Sequence, residues 1–100
     1  MPTAISLHSV LRPKASVTAR RLLEEMVLLD LETGCYFGLN PVGTEVWERV
    51  QGGAALGDII AGIVEAYEVA RADCERDVLK LAGELVERGL VSVAEPARNP

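Results

Sequence analysis

Apolar positions change their spacing once along this chain. Before Asn40 they come in short runs rich in Val, Leu and aromatic residues; after it they recur at intervals of three and four. The first pattern predicts strands and the second helices. "SVTARRLL" and "EMVLLDL" read as two strands with Glu24-Glu25 as the turn between them. The second run is dense in Val and Leu, which suits a central strand covered on at least one face. In "ETG" the chain turns at Gly34, which can adopt the positive φ of a short hairpin. "CYFGL" then makes a brief third strand, so the three form an antiparallel meander with the third strand at an edge.

The helical half opens on "NPVGTEVWERV". Asn40 can cap with its side-chain oxygen, and Pro41 suits the first helical position, where its missing N–H costs nothing. Val42, Val46, Trp47 and Val50 share one face, and Gly52-Gly53 end the helix. "LGDIIAGIVEAY" repeats Leu56, Ile59, Ile60, Ile63, Val64 and Tyr67 at helical spacing, and its glycines leave packing to hold it together. A third helix is predicted from about Ala72 to Arg88, with Cys74, Val78, Leu81 and Leu85 as its stripe and Gly89 as its stop. Trp47 and Tyr67 are expected as core anchors. The fold class is therefore α+β, a three-stranded antiparallel sheet followed by three helices. The arrangement is winged-helix-like with the sheet placed first. A flexible arm is expected over residues 1–14, a single domain over 15–91 and a disordered tail over 92–100.

Composition narrows the functions open to such a domain. One hundred residues, 49% of them hydrophobic, suffice for one domain with a core. A formal charge of -5 argues against nucleic acid, which demands a surplus of Lys and Arg. Arg12, Lys14, Arg20 and Arg21 do cluster early, but Glu24 and Glu25 follow at once. No apolar run approaches the ~20 residues that span a bilayer, and no secretory signal opens the chain. No membrane association and a cytoplasmic location are the expectation. Cys35 and Cys74 match no metal spacing and are expected as free thiols.

Catalytic chemistry finds no purchase. The one histidine, His8, lies in the expected arm, far in sequence from either cysteine. The carboxylate pairs, Glu24-Glu25, Asp30 with Glu32 and Asp73 with Asp77, sit in no apolar run that would carry a pKa into a catalytic range. "GGAALGD" follows a helix and lacks the lysine of a phosphate loop. Neither an enzyme activity nor a cofactor nor a metal is expected. The edge strand remains, with neither charge nor proline to protect it. Three readings stand open: a strand too short to matter, an edge covered by the arm or by a second copy in a homodimer, or an edge that receives an extended peptide.

The motif D-x-x-TG-x-Y-x-x-LN-x-x-G-x-x-x-W is met by Asp30, Thr33, Gly34, Tyr36, Leu39, Asn40, Gly43 and Trp47. With "DVLKLAGELVERGLV" downstream, the chain resembles the PqqD-like proteins over roughly residues 15 to 91. These are recognition elements of ribosomally made, modified peptides. The resemblance implies an adaptor that binds the leader segment of a precursor peptide and presents it to a modifying enzyme or leader protease. It implies that the leader adds antiparallel to the strand Cys35, Tyr36, Phe37, Gly38 and Leu39. The other wall of the groove would be the third helix, around Asp73, Cys74, Asp77, Val78 and Leu81. Both thiols would then flank that groove. A homodimer paired through the edge strand and, more remotely, a winged-helix DNA binder are the competing readings.

Overall fold

The computed structural model describes residues 5–94, and its elements run in the order β1 (Val10–Pro13), β2 (Val17–Leu22), β3 (Glu25–Asp30), β4 (Tyr36–Leu39), α1 (Pro41–Gln51), α2 (Leu56–Tyr67), α3 (Arg71–Glu87) and β5 (Val91–Ala94). Strands β2, β3 and β4 form the expected antiparallel meander in that order, so β2 and β4 are its two edges. The three helices follow, as the apolar spacing predicts, and the class is α+β.

Burial alternates cleanly on the central strand. Met26 and Leu28 are buried toward the helices together with Asp30, while Val27 and Leu29 face the opposite side. This alternation sets the hairpin register, because a slip of one residue would turn Met26 and Leu28 outward. Leu22 therefore pairs with Glu25, and the turn falls on Leu23-Glu24, one residue earlier than expected. Leu23 takes the corner at φ 60°, a left-handed conformation that leucine rarely adopts.

Two boundaries depart from the expectation. Residues 10–13, assigned to the flexible arm, are strand β1, and residues 92–94, assigned to the disordered tail, belong to β5; the two pair antiparallel as a second small sheet. Leu11 is what draws the arm in, since it lies fully buried in the core. The segment before it also serves α2, whose N-terminus has no side-chain cap. The N–H groups of Leu56 and Gly57 donate to the carbonyls of Ser9 and Leu7 at 2.9 and 2.8 Å, which satisfies donors that a helix start leaves open. Gly57 permits this approach, because a Cβ there would lie 3.1 Å from the Leu7 oxygen. The remainder of the expected arm and tail, residues 1–4 and 95–100, lies outside the described residues.

The core gathers Leu28, Leu39, Val46, Trp47, Val50, Leu56, Ile59, Ile60, Ile63, Val78, Ala82 and Leu85 between the sheet and the helices. Trp47 is a core anchor. Tyr67 is not: it lies on the surface, where its hydroxyl donates to Glu45 Oε1 at 3.2 Å. It stands on the last turn of α2, past the point where the helix still packs on its neighbours. Among the described residues, no helix is long and apolar enough to cross a membrane.

Candidate functional site

A groove of about 380 Å³ opens between the edge of β4 and α3, with the start of α1 as its floor. Each element reaches it for a local reason. Strand β4 has a period of two, and its Phe37 and Leu39 point toward the helices while Tyr36 and Gly38 point away. Asn40 ends the strand and caps α1, its Oδ1 accepting from the Gly43 N–H at 2.7 Å. Gly43 fits tightly under that cap, since a Cβ would meet Asn40 Oδ1 at 3.2 Å and Leu39 at 3.3 Å. The cap brings Val42, Gly43 and Val46 into the floor. Helix α3 forms the far wall with Asp77, Val78, Lys80, Leu81 and Glu84, positions that share one side of a helix. At one end the Arg88 guanidinium stacks over the Phe37 ring, 5.1 Å from its centroid, a cation–π contact that joins the C-terminal end of α3 to the strand.

Backbone parity adds what side chains do not show. The Asp30 N–H donates to the Cys35 carbonyl at 2.8 Å. In an antiparallel ladder, hydrogen-bonded pairs alternate with unbonded ones. With Leu28 opposite Phe37 and Met26 opposite Leu39, Cys35, Phe37 and Leu39 turn their backbone groups to β3. Tyr36 and Gly38 direct theirs at the open edge. A Cβ at Gly38 would meet nothing within 4 Å, so the outer face is open there, and β4 is the last strand of its sheet, so no described strand covers its edge.

The groove has an apolar interior and a charged rim. Asp77 lies 3.7 Å from the Arg76 guanidinium, whereas Lys80 and Glu84 form no ion pair among the described residues. At the root of the meander Asp30 is buried. Its carboxylate accepts from Ser16 Oγ at 2.7 Å, Lys14 Nζ at 2.9 Å and the Glu32 N–H at 2.9 Å. The Ser16 and Lys14 hydrogen bonds hold its pKa well below the usual carboxylate range, and hydrogen bonding to Asp30 raises that of Lys14. This Asp of the motif is a structural tie between the segment entering β2 and the turn entering β4.

Of the residues singled out from the sequence, Phe37, Gly38, Leu39, Asp77, Val78 and Leu81 line the groove together. Tyr36 does not line it: its ring is exposed on the opposite side of the sheet, and only its backbone groups face the open edge beside the groove. Cys35, Asp73 and Cys74 do not line it. Asp73 is exposed and pairs with Arg76 at 3.2 Å. Cys74 turns under α3 into the core, where its thiol approaches the Ile60 carbonyl at 4.0 Å and burial raises its pKa. Cys35 is half-buried against the same core from the sheet side. The thiols therefore do not form groove walls. Asn40, Val42, Gly43 and Val46 were missed, although the motif itself contains Asn40 and Gly43. Lys80 and Glu84 stand on the groove's rim.

The PqqD family, described as coenzyme PQQ synthesis protein D, matches residues 25–91. The chain belongs to this family. Two solved structures are similar at a TM-score of 0.76 each. One, TbiB1 in complex with the TbiA(beta) leader peptide, is 32% identical over 81% of this chain and 94% of that one. The other, a lasso peptide synthetase B1 complexed with the leader peptide, is 30% identical over 83% of this chain and 98% of that one. Among curated proteins no match was found. The family match takes in β3, β4, all three helices and the start of β5, hence every element that builds the groove.

Proposed function

We propose that this PqqD-family chain is a non-catalytic, cytoplasmic adaptor that binds the leader segment of a ribosomally made precursor peptide. It hands that peptide to a modifying enzyme or leader protease of the same pathway. The observation that carries this reading is the open β4 edge beside a groove under α3 whose apolar floor is rimmed by Asp77, Lys80 and Glu84. The two similar structures, each complexed with a leader peptide, support it.

The energetics say what such a peptide must contain. Tyr36 and Gly38 offer only a few backbone hydrogen bonds, each worth about 0.5–1.5 kcal/mol net. Ordering a peptide strand costs roughly 1–2 kcal/mol per residue. Apolar side chains placed against Phe37, Val46, Val78 and Leu81 must supply the surplus, at around 25 cal/mol per Å² buried. The expected affinity is nanomolar to low micromolar, about -8 to -12 kcal/mol.

The test is a titration of the ¹⁵N-labelled chain with the leader half of the precursor peptide encoded beside its gene. Saturable amide shifts at Tyr36–Leu39 and along Asp77–Glu84 are expected. A folded chain whose amides ignore the peptide overturns the proposal. In that event light scattering would ask whether two β4 edges pair in a homodimer.

A further inference from the structure

The sheet has a second face, which the groove does not use. Alternation sends Thr18, Arg20 and Leu22 of β2, Glu25, Val27 and Leu29 of β3, and Tyr36 and Gly38 of β4 to the side away from the helices, with Thr18 and Arg20 along the β2 side and Glu25 beside Leu22. Leu31 follows on the same side by parity. Val27 and Leu29, though half-buried, are not packed against the core. Tyr36 is 71% exposed, Leu31 70%, Leu22 54% and the corner residue Leu23 94%. A solvent-facing sheet face is ordinarily polar, and contiguous apolar surface on a small protein marks an interaction site.

Leu23 makes the case stronger. Its φ of 60° is costly for a leucine and suits Asn or Gly. Its side chain is at the same time almost wholly in water. Neither turn chemistry nor core packing explains a leucine there. A residue that violates both local rules marks a functional site by the usual logic of sequence consistency.

We infer that this outer face and the Leu22-Leu23 tip form the docking surface for the enzyme that processes the peptide held in the groove. The inference rests on the adaptor reading above. Two observations select this occupant. The first is continuity: β4 belongs to both surfaces, Phe37, Gly38 and Leu39 lining the groove while Tyr36 turns its ring to the outer face. Leu39, the last residue of β4, lies in one cross-strand row with Met26 and Arg21, one row short of the Leu22–Glu25 pair. A protein seated on the face and tip therefore sits beside a peptide in the groove. The second is area. Two strands of six residues and one of four, about 4.8 Å apart, present roughly 250 Å². A stable interface takes about 800 Å² from each partner. Two flat copies placed face to face bury only this face and fall well short. A larger partner reaches past the face to the Leu22-Leu23 tip and the neighbouring surface, and so takes more of this chain than a second flat sheet does.

The experiment uses the full chain, the leader peptide and the purified processing enzyme encoded in the same gene cluster. Leu23→Asn and Leu31→Ser are compared with wild type for leader affinity, enzyme affinity and thermal midpoint. Both variants are expected to bind leader within about twofold of wild type, and Leu23→Asn to melt no lower, since Asn tolerates the left-handed corner. Enzyme affinity is expected to fall about tenfold for each, the usual scale for losing one apolar anchor. Unchanged enzyme affinity in both variants, or no enzyme complex with wild type, overturns the inference. So does a wild-type dimer that Leu23→Asn dissolves, which would make a second copy the occupant. Loss of leader binding by wild type would instead refute the adaptor reading, a separately measured outcome.

Discussion

The sheet ends in two edge strands that differ in every respect that matters to an incoming peptide. Strand β2 carries Thr18, Arg20 and Arg21, and Arg21 forms an ion pair with Glu48 of α1. Charges of this kind discourage edge pairing. Strand β4 has no charge and no proline. It is two residues shorter than β2 or β3, and its edge looks onto a groove instead of bulk water. The same short sheet thus protects one edge and leaves the other open. An edge left bare beside such walls offers backbone groups and side-chain pockets together, the combination that strand addition by a peptide uses.

A matched pair of proline substitutions probes this difference most strongly. Gly38→Pro removes an N–H that the β3–β4 ladder does not use, so the chain should still fold. Leader affinity should fall by about 2 kcal/mol or more, through the lost hydrogen bond and the ring placed at the open edge. Ala19→Pro removes the equivalent outward N–H from β2 and should leave leader affinity unchanged by calorimetry. Equal losses in both would erase the distinction between the edges.

The groove wall comes next. Leu81→Ala should weaken leader binding by about 1–2 kcal/mol, the worth of an apolar side chain withdrawn from a partly buried contact. Since Leu81 is only half-buried in the free chain, the thermal midpoint should move less than the affinity does. A thiol reagent sharpens the boundary of the same wall. Cys74, buried with a raised pKa, should stay unmodified until the chain unfolds, with or without leader. Protection of Cys74 that appears only on adding leader would place it in the groove after all.

Acid should act on both edges together, because Asp30 ties the entry to β2 and the turn into β4. Its pKa is lower folded than unfolded. The unfolded chain therefore takes up its proton first, near pH 4. The stability that Asp30 supplies is present above that pH and is lost as pH falls toward the folded value. Asp30→Asn should lower the thermal midpoint at neutral pH and flatten its fall between about pH 5 and 2. A slope in that range identical to wild type would remove Asp30 as the tie. Smallest of all, Arg21→Ala should cost under about 1 kcal/mol, being an exposed ion pair, and leave leader binding untouched.

Much of this was legible along the chain. Asn40 and Pro41 mark the start of α1, and the structure shows that cap closed by a hydrogen bond to Gly43. The Val46, Trp47, Val50 stripe and the Ile59, Ile60, Ile63 stripe are core in the structure as their spacing requires. The bare strand after Gly34 is an edge. The motif from Asp30 to Trp47 pointed to the family to which the chain belongs. The groove was half legible: Phe37, Gly38, Leu39, Val78 and Leu81 fall in it, whereas Cys35, Asp73 and Cys74 do not.

What the chain by itself determined is local in origin. Cap chemistry, turn glycines and apolar spacing act over a few residues, so the order and type of the main elements follow from them. Tertiary structure decided three further things. It paired Val10–Pro13 with Val91–Ala94, nearly the length of the chain apart, since Leu11 finds its burial only once the helices are in place. It set the rotation of α3, which sends Cys74 inward and Asp77 to the groove three positions later. Three positions on, the helix has turned to about 60° from Cys74, and only the packing of α3 decides on which side of that step the core ends and the groove begins. It also chose the strand register, and with it the backbone groups of Tyr36 and Gly38 that face outward. Each of these depends on contacts between segments distant in sequence, which local propensity does not encode.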